Sequence, residues 1–73
     1  MNFQKMSDKK LKDWIQVWEE QPLTRTLSGI DTYVTALRES FKRFNDESYW
    51  KIEYFNQFPK STIQEFNIWF REI

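Results

Sequence analysis

Residues 49–58 read YWKIEYFNQF, and five of these ten residues are aromatic. The conformation of this stretch decides the fold class, because its composition suits either a strand or a helix. As a strand it would place Trp50, Ile52 and Tyr54 on one face, and its aromatic and β-branched content fits that structure. The chain contains no second strand-like run, so only another molecule would supply the paired strand.

As an α-helix, the same stretch places Trp50, Tyr54 and Phe58 along one side at four-residue spacing. A second side also carries large apolar side chains, namely Tyr49, Ile52 and Phe55. The apolar surface is then wider than the stripe of about 100° that a surface helix usually shows. We therefore predict a helix that is either central in its domain or meets another molecule on one face. An intermolecularly paired strand is the alternative.

Helical apolar spacing continues on the N-terminal side of this stretch. A first helix is predicted from Ser7 to Glu20, with Ser7 as its N-cap. Its apolar face comprises four residues at positions i, i+3, i+4 and i+7, which are Leu11, Trp14, Ile15 and Trp18. Pro22 disfavours helical geometry at the preceding residue, so this helix is expected to end nearby.

A second helix is predicted from seven apolar residues spaced alternately four and three apart, which is typical of a helix edge that packs against neighbours. These residues are Leu23, Leu27, Ile30, Val34, Leu37, Phe41 and Phe44. Its start is open between Pro22, as the first position of a long helix, and Ser28, as the N-cap of a shorter one. Gly29 disfavours a helix interior by roughly 1 kcal/mol, which favours the start at Ser28. The polar residues 45–48 then separate this helix from the aromatic stretch.

A last helix is predicted after Pro59, because residues 61–64, STIQ, fit a capping box with Ser61 as N-cap and Gln64 as its partner. Its apolar stripe comprises Ile63, Phe66, Phe70 and Ile73. The patterns together predict an all-α fold, a small single-domain bundle of three to four short helices that spans residues 1–73. The chain has no Cys but four Trp, three Tyr and seven Phe, so we expect an aromatic-rich core to stabilise it.

The residue types required for most catalytic sites are missing from this sequence. Without His or Cys, neither a Ser-His nor a Cys-His nucleophile can be built, and the usual zinc ligands are absent. The acidic pairs at residues 19–20 and 46–47 are adjacent, so their carboxylates point in different directions on a helix. Gly29 is the only glycine, which does not suit a phosphate-binding loop. We expect no enzyme activity, no cofactor, no metal and no small-molecule substrate.

Three basic residues, Arg38, Lys42 and Arg43, form a candidate patch for nucleic acid on the second helix. Together with exposed aromatic rings, such a patch would bind single-stranded nucleic acid, because the rings stack on bases and the cations attract phosphates. The chain as a whole has 11 basic and 11 acidic residues and no net charge, whereas proteins that bind phosphate backbones usually carry a basic surplus. A nucleic-acid-binding regulatory module is therefore the second hypothesis.

The first hypothesis is a non-catalytic protein–protein interaction module, a small regulator or inhibitor that binds and occludes a larger protein. The predicted partner interface comprises four aromatic residues, Tyr49, Trp50, Tyr54 and Phe58, because Trp and Tyr suit partly hydrated interfaces. A self-assembling structural protein, with a homo-oligomer as its product, is the third hypothesis.

The sequence also predicts a location and a source. No apolar run approaches the roughly 20 residues that span a bilayer, and no signal-peptide pattern occurs, so a cytoplasmic protein without a membrane partner is expected. The surplus of residues with AT-rich codons fits a low-GC bacterium, its phages or its mobile elements.

Overall fold

Four α-helices and one short 310 helix make up the computed structural model, which describes residues 2–20 and 27–72, without the side chains of Leu27 and Ser28. The 310 helix is Phe3–Lys5, and the α-helices are α1 (Asp8–Glu20), α2 (Leu27–Phe44), α3 (Ser48–Gln57) and α4 (Ile63–Arg71). No strand occurs in the described ranges. The predicted all-α fold is confirmed, and the aromatic stretch is helical as far as Gln57. The alternative of a paired strand is wrong.

Helices α1 and α2 begin close to where the sequence predicted. The Ser7 side chain accepts a hydrogen bond from the backbone N–H of Lys10 at 3.2 Å, as expected of an N-cap. Helix α2 already includes Leu27, so Ser28 lies inside the helix rather than capping it. The predicted positions Pro22 and Leu23 lie outside the described residues.

The break between α2 and α3 is formed by three polar residues. Asn45 adopts a left-handed conformation with φ of 48°, which Asn tolerates better than most residues, and its N–H donates to the carbonyl of Phe41 at 2.8 Å. The Asp46 side chain then accepts a hydrogen bond from the backbone N–H of Ser48 at 2.9 Å. Residues 45–48 thus end α2 and start α3.

Helix α4 is capped one residue later than predicted. The Thr62 hydroxyl accepts from the backbone N–H of Glu65 at 3.1 Å, so Thr62 is the N-cap, and the capping box based on Ser61 is wrong. The Ser61 hydroxyl instead donates to the carbonyl of Phe58 at 2.8 Å, and this bond closes the turn that follows α3. Ile73, predicted as the end of the apolar stripe, lies outside the described residues.

Helix α2 is the central element, because α1, α3 and the 310 helix all pack against it. Tyr33 and Leu37 of α2 are completely buried, together with Leu11 of α1. The Tyr33 ring stacks on Trp18 with 4.0 Å between ring centroids, and it lies edge-on to Phe55 of α3 at 5.5 Å. The aromatic core that composition predicted is thus shared between α2 and the aromatic stretch, which supplies Phe55.

A cluster of three polar side chains, Tyr33, Glu19 and Lys51, joins α2, α1 and α3 at the edge of this core. The Tyr33 hydroxyl donates to the carboxylate of Glu19, at the end of α1. Lys51 of α3 donates to the same carboxylate oxygen, with 2.8 Å between Nζ and Oε2. Because the side chains of Glu19 and Lys51 are 24% and 17% exposed, this ion pair is less screened by water than a fully exposed pair. The pair therefore fixes α1 relative to α3.

Candidate interaction surfaces

The four residues of the predicted partner interface occupy different environments along α3. Tyr49, Trp50 and Phe58 are 43%, 44% and 49% exposed, whereas Tyr54 is only 7% exposed. Helix α4 covers Tyr54, whose ring centroid lies 5.2 Å from that of Phe66 and 5.1 Å from that of Trp69. The prediction that Tyr54 is available to a partner is therefore wrong, since its ring belongs to the core.

Two of the exposed residues belong to one continuous aromatic surface. The ring of Tyr49 lies 5.6 Å from that of Phe41 on α2 and 5.7 Å from that of Trp50, measured between centroids. We call these three residues, Phe41, Tyr49 and Trp50, the aromatic surface. Phe41 is half-buried near the end of α2, so the surface spans α2 and α3.

The aromatic surface also contains a polar group. The Tyr49 hydroxyl donates to Oε1 of Glu53 at 2.7 Å. This hydrogen bond to a carboxylate raises the pKa of Tyr49 above its usual value of 10.0, and the negative charge of Glu53 acts in the same direction. The Tyr49 phenol therefore ionises only at a higher pH than an unperturbed Tyr does.

Phe58 lies apart from the aromatic surface. It follows α3 as the C-cap residue, eight positions after Trp50, which corresponds to a rise of about 12 Å along a helix. Together with Pro59, Lys60 and Glu65 it lines a shallow cavity of about 370 Å³. The predicted interface is thus two exposed aromatic sites separated by the buried Tyr54.

The three residues of the predicted basic patch also differ in exposure. Arg38 and Lys42 are exposed on α2, but the side chain of Arg43 is only 18% exposed. Arg43 forms ion pairs with Asp8 and Glu39, both at 3.2 Å. The prediction of three basic residues open to nucleic acid is therefore wrong for Arg43, because its guanidinium is held within the protein.

The same guanidinium also fixes the N-terminal segment. Its Nη2 atom donates to the backbone carbonyls of Phe3 and Gln4, each at 3.1 Å. These carbonyls belong to the 310 helix, so Arg43 fastens this segment to α2. We call the contacts of Arg43 with Asp8, Glu39 and these two carbonyls the Arg43 network.

A groove that sequence reasoning missed lies between the 310 helix and α2. Its volume is about 560 Å³. The residues that line it are Asn2, Phe3 and Gln4 on one side and Thr35, Arg38, Glu39 and Lys42 on α2. No local pattern predicts this groove, because its two walls are more than 30 positions apart in the sequence.

Sequence reasoning also missed an exposed apolar site on α1. Val17 is 55% exposed and, with Asp13, Trp14 and Trp18, lines a cavity of about 270 Å³. Ile68 on α4 is similarly exposed, at 57%, as its position off the predicted stripe indicates.

Two other properties of the described residues bear on the site. Within residues 2–20 and 27–72, no cluster of His, Cys, Asp or Glu side chains has an arrangement that could hold a metal ion. In the same ranges, no helix combines the length and the apolarity needed to cross a membrane.

Comparison with known proteins identifies no relative. No protein-family model, no curated protein and no solved structure matches this chain.

Proposed function

We propose that this chain is a non-catalytic protein-interaction module, a small regulator or inhibitor that binds and occludes a larger protein. The observation that carries this proposal is the aromatic surface, where Tyr49 and Trp50 are more than 40% exposed although the fold has an aromatic core in which to bury them. Tyr and Trp are enriched in the centres of protein interfaces relative to the rest of the protein surface. The surface thus has the composition of an interface.

The geometry of the aromatic surface also suits binding. Phe41 and the first turn of α3 hold Tyr49 in place, and the hydrogen bond to Glu53 restrains its ring further. Side chains that are ordered before binding lose less conformational entropy when a partner arrives. Tyr49 and Trp50 are the proposed contact residues, with Phe58 as a second, separate contact, while Tyr54 is buried in the core.

Affinity capture with matched variants tests this proposal. Purified wild-type protein, a Trp50→Ser variant and an Ile68→Ser variant would each be used to capture proteins from an extract of the native cells, followed by mass spectrometry. Each variant replaces one exposed apolar residue with Ser, so the folded state is expected to persist in both. We expect a partner that the wild type and the Ile68→Ser variant retain and the Trp50→Ser variant loses.

The Kd of each variant for the captured partner measures how much binding free energy the Trp50 side chain contributes. Truncation of a central aromatic residue commonly weakens a protein complex by more than about 2 kcal/mol, or roughly 30-fold in Kd. Equal retention of every captured protein by the two variants would contradict the proposed surface.

Self-assembly is the alternative use of the same surface. Size-exclusion chromatography with light scattering distinguishes it, because a homo-oligomer would give a defined multiple of the 9.1 kDa chain mass. Conversion of such an oligomer to a monomer by Trp50→Ser would assign the aromatic surface to a second copy of this chain.

Nucleic-acid binding is the second candidate function, and the observation that favours it is the exposure of Arg38 and Lys42 one helical turn apart. A gel-shift titration at two salt concentrations tests it, since binding through phosphates weakens steeply as salt rises. The absence of binding at low salt would remove this candidate.

We also propose a cytoplasmic location, because a chain without Cys does not depend on an oxidising compartment for its stability. Fractionation of the native cells, with detection by antibody, would contradict this if the protein appeared in another fraction.

A further inference from the structure

We infer that the groove between the 310 helix and α2 binds an acidic segment of the partner protein. This inference rests on the proposed function in one respect, which is that the partner is a protein. The groove and the aromatic surface are formed by different residues, so each can be tested without the other.

The groove is formed before any ligand arrives. Its N-terminal wall, the 310 helix, is fastened to α2 by the two hydrogen bonds from Arg43 to the carbonyls of Phe3 and Gln4. The wall is further ordered by Asn2, whose side chain accepts a hydrogen bond from the backbone N–H of Gln4 at 3.1 Å. The volume of about 560 Å³ lies within the range of about 300–1,000 Å³ that is usual for pre-formed ligand sites.

The charges in the groove favour an anionic ligand. Arg38 and Lys42 are four residues apart on α2, so both side chains lie on the same side of the helix. Neither forms an ion pair with another described residue. Among the described residues of the lining, Glu39 is the only acidic one, and it already pairs with Arg43 at 3.2 Å, so its charge is offset. The groove therefore presents two positive charges that are available to a ligand.

Acidic peptide fits this groove better than nucleic acid does. An Arg guanidinium can bind a carboxylate through two parallel hydrogen bonds, and the Lys ammonium one turn away can bind a second carboxylate. Asn2, Gln4 and Thr35 add uncharged polar groups that suit a peptide backbone. A nucleic-acid strand carries a charge on every nucleotide and usually meets a longer row of cations, but the Arg43 network has removed the third basic residue from this surface.

Titration with a model peptide tests the inference. Hexaglutamate would be added to the isotopically labelled 73-residue protein at low ionic strength, and amide chemical shifts would be followed by NMR. We expect saturable shifts at Gln4, Thr35 and Arg38, and little change at the aromatic surface. A hexaserine peptide serves as the uncharged control and should leave the groove unshifted.

Charge-neutral variants with a matched control sharpen this test. The double variant Arg38→Gln/Lys42→Gln removes both groove charges and should weaken hexaglutamate binding by roughly tenfold, the effect of losing two solvent-exposed ion pairs. The double variant Lys10→Gln/Lys60→Gln removes two exposed charges that do not line the groove, and its Kd should stay within about twofold of the wild type.

Three results would overturn the inference. They are no shift at low ionic strength, equal weakening in the two double variants, and tighter binding of a hexathymidylate strand than of hexaglutamate. The last result would assign the groove to nucleic acid. Hexaglutamate binding needs no cellular partner. A failed capture experiment therefore counts against the aromatic surface, whereas a failed titration counts against the groove.

Discussion

Asp46 shows how a single carboxylate can organise a helix junction. One oxygen accepts from the backbone N–H of Ser48 at 2.9 Å, and the other accepts from the hydroxyl of Ser40 at 3.1 Å. Partial burial raises the pKa of this carboxyl group, but hydrogen bonds from Ser48 and Ser40, together with the positive charge of Lys51, outweigh that effect. The pKa of Asp46 therefore lies below its usual value of 3.8.

Replacement of Asp46 by Asn should change how stability depends on pH. Because the folded-state pKa is lowered, the ionised carboxylate contributes stability above the usual pKa of 3.8 that the unfolded chain has, and this contribution is lost as the pH falls through the folded-state pKa. The wild type should thus be more stable than Asp46→Asn at pH 6, and the difference should shrink below about pH 4. Urea denaturation of both proteins across this range measures the difference, and a gap that is independent of pH would contradict the role of the charge.

Helix α3 has two apolar sides, and they lie in different environments. Tyr54 and Phe55 are buried against α4, and Phe55 also contacts Tyr33 of α2, while Trp50 faces solvent four residues before Tyr54. The side chains differ in exposure because α4 packs against only one part of α3. Helical periodicity predicted that Trp50 and Tyr54 lie near one side, but it cannot predict where the covering helix stops.

Alanine substitution on α3 should separate core from surface. Tyr54→Ala removes a buried aromatic side chain and should lower the free energy of unfolding by about 3–5 kcal/mol, which is a large part of the roughly 4–11 kcal/mol expected for a chain of this length. Trp50→Ala should change it by less than about 0.5 kcal/mol. Urea denaturation followed by circular dichroism measures both values, and Tyr54→Phe is the control that keeps the ring. Similar losses in the two alanine variants would show that Trp50 is also structural.

The sequence predicted local features of the fold, such as helices and their breaks, but not the contacts between distant residues. Apolar spacing was enough to locate the helices, because a continuous buried edge requires it, and the polar residues 45–48 marked the break correctly. Ser61 and Thr62 are both suitable N-caps, and the choice between them depended on the hydrogen bond from Ser61 to Phe58. The candidate site depended on contacts between distant residues, such as Arg43 with Phe3, 40 positions away, which no local pattern contains.

At the scale of the whole molecule, the Arg43 network holds the N-terminal part of the chain to the central helix. The 310 helix, the start of α1 and the end of α2 all meet at this guanidinium. Glu39 depends on it as well, because this carboxylate is largely buried and has Arg43 as its ion-pair partner. The network thus couples the wall of the groove to the stability of the fold.

Arg43→Met should destabilise the protein by about 2–3 kcal/mol, because it leaves the buried carboxylate of Glu39 without its cation and frees the 310 helix. Arg43→Lys should recover only part of this loss, since one ammonium cannot reach all four acceptors. Arg38→Met is the matched control on the exposed side of α2 and should cost less than about 0.5 kcal/mol. Urea denaturation gives all three values, and equal losses for Arg43→Met and Arg38→Met would contradict the network.

The placement of the Trp rings has an optical consequence. Trp18 is stacked on Tyr33, whereas Trp50 is exposed at the aromatic surface. An indole ring in water emits at longer wavelength than one in an apolar environment. Trp50 is exposed whereas the other three, Trp14, Trp18 and Trp69, are half-buried, so Trp50 contributes most to the red part of the intrinsic emission. A partner that covers Trp50 would shift the emission spectrum to the blue and shield this ring from a soluble quencher such as iodide. The protein therefore reports the occupancy of its proposed binding surface without any attached dye.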